Sequence, residues 1–121
     1  MTVPTWTPSE LKDHLAGDRP VLVDWRADWC TNCAAQEKVI ERLAPELERQ
    51  VRVGMIDVGV FPDLADEFGV QSLPTLAVFV GGRQVEALHG YRRAPEIRDV
   101  VRRALANPAG APPMQAGDGE A

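Results

Sequence analysis

Cysteine is scarce in this chain: its 121 residues include only two, Cys30 and Cys33. A pair this close in sequence cannot form the disulfide framework of a small secreted domain, because such a framework links distant parts of the chain. A chain of this length can bury a core without such cross-links. The two cysteines are therefore available for chemistry, either redox catalysis or metal binding.

Long apolar runs are missing as well. No segment approaches the roughly 18 to 20 apolar residues that cross a bilayer. The stretch Met1 to Leu15 lacks the basic start and the apolar core of a secretory signal. We therefore expect a cytoplasmic monomer without a membrane segment. An exported mature form, or a domain excised from a larger membrane protein, would show the same pattern.

Clustered positive charge of the kind that binds phosphates is also lacking. The chain has 13 Lys and Arg residues against 18 Asp and Glu residues, a formal net charge of -5, and the two signs are interleaved. Nucleic acid is therefore not an expected partner, because phosphate binding needs a basic cluster.

Strands are predicted where short apolar runs are rich in β-branched residues. Two such runs, at 21–25 and 51–58, are apolar enough to be buried on both faces. Two more, at 76–80 and 84–88, flank Gly81-Gly82 and are typical of a hairpin with a two-residue turn.

Helices are predicted where apolar residues recur every three or four positions. The predicted helices are a short one at 10–16 with Ser9 as its N-cap, a long one that starts at Cys30, a short one at 63–68 and a last one at about 95–105. Pro45 lies inside the long helix and is expected to kink or split it, because proline removes a backbone donor.

This order of elements predicts one α/β domain over residues 1–106, followed by a flexible tail rich in Pro, Gly and Ala at 107–121. Its sheet would be mixed, with four to five strands and helices on both faces. The cysteines follow the C-terminal end of a strand, where α/β proteins usually place their reaction sites.

The spacing of the cysteines suits a reversible disulfide in the first turn of a helix. Free backbone N–H groups and the helix dipole would stabilise a thiolate at Cys30, the expected nucleophile. Cys33, one turn further in, is placed to resolve a mixed disulfide. Asp24, an acid inside an apolar strand, is the candidate proton acceptor for Cys33.

A zinc site is the alternative use of a Cys-x-x-Cys pair. A structural zinc site needs four ligands, whereas the rest of the chain offers no cysteine and only His14 and His89. Neither histidine belongs to a ligand-like pair. We therefore expect no metal and favour redox chemistry.

The run Val21-Leu22-Val23-Asp24-Trp25-Arg26-Ala27-Asp28-Trp29-Cys30-Thr31-Asn32-Cys33 resembles the active-site region of the thioredoxin family. Further motifs follow in the family's order. They are Asp57 at the end of the next strand, the loop 70–75 with its proline, Gly81-Gly82, and Gly90. The resemblance covers about residues 9–106 and implies the thioredoxin fold.

The resemblance also implies a role for each residue of the site. Cys30 would be the attacking thiol, Cys33 the resolving thiol and Asp24 the buried acid. The substrate would be bound by Trp29, Thr31, Asn32, Pro74 with a cis peptide bond, Thr75 and Gly90. No cofactor is implied beyond a redox-active Cys30–Cys33 disulfide.

The activity implied is the reduction of protein disulfides by dithiol–disulfide exchange. The implied partners are disulfide-containing proteins and an electron donor, either a thioredoxin reductase drawing on NADPH or a membrane thiol reductase. The alternative is a thioredoxin-fold module that binds proteins and in which turnover is incidental, since a fold alone does not fix function.

Several residues depart from ordinary thioredoxins. Thr31-Asn32 stands in place of Gly-Pro and Arg26 in place of a common tryptophan, which is more similar to the thioredoxin-like domains of membrane-linked thiol reductases. Val53 replaces a lysine near the buried acid, so we predict a raised pKa for Asp24. The neutral pair between the cysteines predicts a reductant of moderate potential.

Three basic residues near Gly90 have a simple interpretation. His89 is expected to be a partly exposed loop residue. Arg92-Arg93, like Arg102-Arg103 further on, is expected to be solvated, with the docking of an acidic partner reductase as the alternative.

Overall fold

The computed structural model describes residues 2–109. Along these residues the elements are α1 (Pro8–Leu15), β1 (Val21–Arg26), α2 (Thr31–Leu47), β2 (Arg52–Asp57), α3 (Pro62–Glu67), β3 (Thr75–Val80), β4 (Arg83–His89) and α4 (Ala94–Ala106). None of these helices is long and apolar enough to cross a membrane. The predicted tail lies outside the described residues from position 110 onward.

The four strands form one mixed sheet in the order β2-β1-β3-β4. β1 runs parallel to β2 and antiparallel to β3, and β3 runs antiparallel to β4. The predicted mixed sheet is therefore confirmed, with four strands. The predicted hairpin is confirmed too, since Gly81 and Gly82 have φ values of 62° and 80°, in the left-handed region that tight hairpin turns require.

Helices cover both faces of the sheet, as predicted. Because successive residues of a strand point to opposite faces, Leu22 of β1 packs with α2 and α4, whereas Val21 and Val23 pack with α1 and α3. β1 is thus a central strand buried on both sides. Asp24 shares the face of Leu22, the face covered by α2.

The predicted cap of the first helix was wrong. The N-cap is Thr7, whose hydroxyl oxygen accepts the Glu10 N–H at 3.2 Å while the Glu10 carboxylate accepts the Thr7 N–H at 2.9 Å. Pro8 fits the first helical position, where no donor is needed. The sequence carries this capping-box signal, but Ser9, which is also a favoured N-cap residue, lies closer to the apolar run.

Pro45 does not split α2, which continues as one helix to Leu47. The missing N–H of Pro45 removes one intrahelical hydrogen bond, and only two residues of α2 follow it. Leu43, Ala44 and Leu47 are buried around it, so packing against the sheet holds the last turn in place.

Candidate active site

The residues singled out in the sequence meet at one edge of the sheet. Arg26 at the end of β1 pairs with Asp57 at the end of β2. On the other side, Trp25 pairs with Thr75 at the start of β3, and Thr75 pairs with His89 at the end of β4. The loop that leads into α2 starts from this same edge, so the cysteines lie beside all four strand ends.

Cys30 and Cys33 form a disulfide, with their Cα atoms 5.3 Å apart. Cys30 is the N-cap of α2, and its Sγ accepts the N–H of Cys33 at 3.2 Å. The predicted helix start at the cysteine pair is therefore confirmed. Cys30 is partly exposed whereas Cys33 is fully buried, so Cys30 is the sulfur that another molecule can reach.

Asp24 is fully buried, and within residues 2–109 neither of its carboxyl oxygens has a hydrogen-bond partner. Burial, helped by the negative charge of Glu37 and opposed by Arg26, raises the pKa of Asp24 from 3.8 to about 8. The predicted raised pKa is thus confirmed, with desolvation as the main cause. Asp24 is therefore mostly protonated at neutral pH, with a minority ionised.

The position of Asp24 relates it to the cysteines. It lies on the sheet face covered by α2 and is influenced by Glu37, four residues after Cys33 in that helix. Cys33 is the first buried residue of α2. The acid and the buried sulfur therefore belong to the same interface, between the centre of β1 and the start of α2.

Arg26 ties three elements together at this edge. Its guanidinium contacts Glu37 of α2 at 2.7 Å, Asp57 of β2 at 2.8 Å and Asp28 of the loop at 2.9 Å. In the sequence Arg26 stands out only as a departure from the family pattern, and this cluster was not predicted. The alternation of β1, which puts Arg26 on the face of Asp24, is the signal that points to it.

The residues next to Cys30 in the sequence are exposed. Trp29 keeps 74% of its surface accessible, and its indole Nε1 lies 3.7 Å from where a Cβ on Gly59 would be. Thr31 and Asn32 are exposed in the first turn of α2. Their substrate-binding roles stay predictions, but all three are accessible to a partner beside Cys30.

The loop before β3 forms the other side of the site. The peptide bond preceding Pro74 is cis, so the conformation implied by the family resemblance is confirmed. Pro74 accepts the Gly90 N–H at 2.8 Å, and Gly90 adopts a φ of 87° that favours glycine. The Thr75 hydroxyl donates to the Ser72 carbonyl at 2.7 Å and contacts His89 Nδ1 at 3.3 Å.

Gln36 is a residue of the site that was not predicted from the sequence. Its amide is fully buried; Nε2 donates to the Arg92 carbonyl at 3.0 Å and Oε1 accepts the Arg92 N–H at 2.7 Å. Since Gln36 follows Cys33 by three residues, it fixes the loop after β4 beside the start of α2. A glutamine among the apolar positions of the buried helix face is the available signal.

The two histidines have other contacts than a metal. His14 stacks on the indole of Trp6 with 4.3 Å between ring centroids, and His89 contacts Thr75. Across residues 2–109, no three His, Cys, Asp and Glu side chains form a group that could hold a metal ion. The expectation that the protein binds no metal stays a prediction.

Known proteins resemble this chain over most of its length. The family model described as Thioredoxin matches residues 2–103. A thioredoxin of Alicyclobacillus acidocaldarius subsp. acidocaldarius is 39% identical over 88 residues, which cover 73% of this chain and 84% of that protein. The bifunctional thioredoxin reductase/thioredoxin of Mycobacterium leprae is 37% identical over 101 residues, 83% of this chain and 22% of that protein.

The fold has a counterpart among solved structures. A mutant thioredoxin from Halobacterium salinarum NRC-1 superposes with a TM-score of 0.76 at 33% identity, and the match covers 84% of this chain and 88% of that one. The predicted thioredoxin fold is therefore confirmed.

Replacing Gln36 by leucine should destabilise the protein. The Arg92 N–H and carbonyl would lose both partners, at an expected cost of about 1 to 3 kcal/mol in the free energy of unfolding. Urea denaturation measures this difference. Gln84→Leu, at an exposed position of β4, is the control and should change stability by less than about 0.5 kcal/mol. A Gln36→Leu protein as stable as wild type would show that the two hydrogen bonds between Gln36 and Arg92 contribute nothing to stability.

Asp24 should make stability depend on pH. Its pKa is about 3.9 in an unfolded chain and about 8 in the folded one, so between these values the folded state binds more protons. Stability therefore falls as pH rises through this window, by up to about 1.4 kcal/mol per pH unit, and levels off above it. Urea unfolding of the oxidised protein at several pH values measures the slope.

Asp24→Asn should remove this part of the slope, because its side chain does not titrate. It should also be more stable than wild type near the upper end of the window. Asp13→Asn, at an exposed position of α1, serves as the control and should keep the wild-type slope. An unchanged slope in Asp24→Asn would mean that Asp24 ionises normally in the folded protein.

Proposed function

Because the chain belongs to the thioredoxin family, we propose that it reduces the disulfide bonds of other proteins through Cys30 and Cys33. Family membership and the paired cysteines make it a thiol–disulfide oxidoreductase, and the direction of the reaction is what we propose. The observation that carries the proposal is the difference between the two sulfurs, one accessible and one buried.

The first step is an attack by the Cys30 thiolate on one sulfur of a substrate disulfide. A bond forms between Cys30 Sγ and that sulfur, the substrate S–S bond breaks, and the second substrate sulfur leaves as a thiolate. The partial exposure of Cys30 lets the substrate reach it. The Cys33 N–H, 3.2 Å from Cys30 Sγ, and the helix N-terminus stabilise the attacking charge.

In the second step Cys33 attacks Cys30 Sγ in the mixed disulfide. The substrate's first sulfur then leaves as a thiolate, and the Cys30–Cys33 disulfide forms, which is the state in the structure. Two electrons have passed to the substrate. Cys33 is enclosed and reacts only with the neighbouring sulfur, so the mixed disulfide is resolved inside the protein.

The ionised form of Asp24, a minority at neutral pH, is suited to accept the proton that Cys33 loses when it attacks. A carboxyl with an ordinary pKa is too weak a base near neutral pH, whereas burial and Glu37 raise the pKa of Asp24 to about 8. Arg26 lies in the same electrostatic environment and opposes that increase. The acid therefore acts as a proton exchanger at the α2 interface, with Arg26 as a positioning residue.

The groove beside the disulfide is where we place the substrate backbone. Pro74 has no N–H, and the residues next to it offer backbone groups to which a substrate strand can pair. The bond between Gly90 and Pro74 keeps this loop fixed. Trp29 supplies an exposed aromatic surface on the opposite side of Cys30.

We further propose that a thioredoxin reductase drawing on NADPH supplies the electrons. The support is the relative from Mycobacterium leprae, whose name assigns reductase and thioredoxin to a single protein. A membrane thiol reductase is the alternative donor suggested by Thr31-Asn32 and Arg26. Electrons are carried by the cysteine pair itself, and the proposed reaction uses no bound cofactor.

Reduction of insulin disulfides by dithiothreitol tests this function. The wild type should accelerate insulin reduction well above the dithiothreitol background, and Cys30→Ser should be inactive because it lacks the attacking sulfur. Cys33→Ser should lose turnover. When it is reduced, freed of dithiothreitol and mixed with insulin, it should accumulate a mixed disulfide, visible by mass spectrometry after alkylation. Equal inactivity of all three proteins would favour a binding module with the same fold.

A further inference from the structure

Two arginines lie in the loop after β4, which we call the arginine loop (residues 90–93). The chain as a whole has a net charge of -5, so the two adjacent arginines at the site have the opposite sign to the net charge. The reaction proposed above assigns them no part. Their position in the fold and their ion pairs indicate which kind of molecule they bind.

The arginine loop is fixed next to the disulfide. Gln36 binds both backbone groups of Arg92, and three helical residues separate Gln36 from Cys33 by only about 4.5 Å along the helix axis. At its other end, the Gly90 N–H donates to Pro74 at 2.8 Å. The loop is therefore one wall of the groove that also contains the cis-proline and Cys30.

The charge on this wall is only partly neutralised. Arg92 contacts Glu96 at 3.5 Å and also donates to the His89 carbonyl at 3.1 Å. Arg93 is exposed, and within residues 2–109 no acidic side chain lies at ion-pair distance from it, while its backbone N–H donates to Glu96 at 3.1 Å. Two arginines and one glutamate leave one positive charge facing solvent.

The opposite wall carries the other sign. There Arg26 is surrounded by Asp28, Glu37 and Asp57, so one positive and three negative groups leave two negative charges. The side chain of Asp28 is 87% exposed. A peptide lying between these walls therefore meets positive charge on the arginine-loop side of the disulfide and negative charge on the Trp29 side.

We propose that Arg92 and Arg93 select protein disulfides whose cysteine is flanked by acidic residues on the side facing the arginine loop. This inference rests on the proposed reductase function and adds a substrate class to it. Charge complementarity of this kind accelerates encounter and discriminates against like charge. The walls are solvent-exposed, so the preference weakens as salt screens it.

Two synthetic disulfide peptides test the selection; they differ only in the two residues on the side of the cysteine that faces the arginine loop, two aspartates in one and two lysines in the other. The pair is made with these residues before the cysteine and again with them after it, to identify that side. The rate at which the reduced full-length protein cleaves each peptide is measured in single turnover, by chromatography of the released thiols. At low ionic strength the aspartate peptide should react about threefold to tenfold faster. At about 0.5 M salt the ratio should approach one.

The double variant Arg92→Gln/Arg93→Gln should lower this ratio to about one. Arg93→Gln alone, at a residue without an ion pair among those described, should lower it partly and guards against a folding defect. The matched control is Arg102→Gln/Arg103→Gln on α4, where the arginines pair with Asp99. It removes the same charge and should keep the wild-type ratio.

The outcomes separate the two proposals. If the wild type cleaves neither peptide, the reductase function itself is wrong. If it cleaves both at equal rates, or prefers the lysine peptide, the reductase function stands and the selection by the arginine loop is wrong. A preference that survives in the double variant, or that the control variant also loses, would likewise overturn it.

Discussion

β1 pairs with a strand on each side, and this pairing sets the position of every group at the site. In its register Arg26 meets Asp57 and Trp25 meets Thr75. A slip by one residue would turn Asp24 to the opposite face, away from α2 and the buried sulfur. A slip would also take Arg26 away from Glu37 and Asp57 and Trp25 away from Phe68, so these contacts hold the register. The core thus supports the reaction by holding a single register.

The carboxyl of Asp24 is the costly part of this arrangement. A buried polar group without a hydrogen bond destabilises the folded state, and a leucine at that position would suit the surrounding core better. Such local conflicts between packing and composition are expected at functional sites. The proposed proton transfer to Asp24 accounts for the conflict, since only a buried acid has a pKa high enough to take a proton from a thiol near neutral pH.

The parts of the site that the sequence predicted correctly depend on local patterns. The apolar run before Cys30, the helix after it and the turn at Gly81-Gly82 each follow from neighbouring residues, and the cis bond before Pro74 follows from the family resemblance. Gln36 was missed because its partner Arg92 lies 56 residues away along the chain, and the Arg26 cluster was missed because it depends on Asp57, 31 residues away. The expected split at Pro45 does not occur, because the packing of Leu43, Ala44 and Leu47 outweighs a local rule.

The reduction potential tests most directly whether the Cys30–Cys33 pair acts as a reductant. The oxidised and reduced forms are brought to equilibrium with glutathione buffers of known ratio, and the fraction of reduced cysteine is measured by alkylation. Thr31 and Asn32 bring no charge to the Cys30 thiolate, so the potential should be that of a moderate reductant, closer to about -270 mV than to about -120 mV. A value near the about -120 mV of strong disulfide oxidases would contradict reduction as the function of this site.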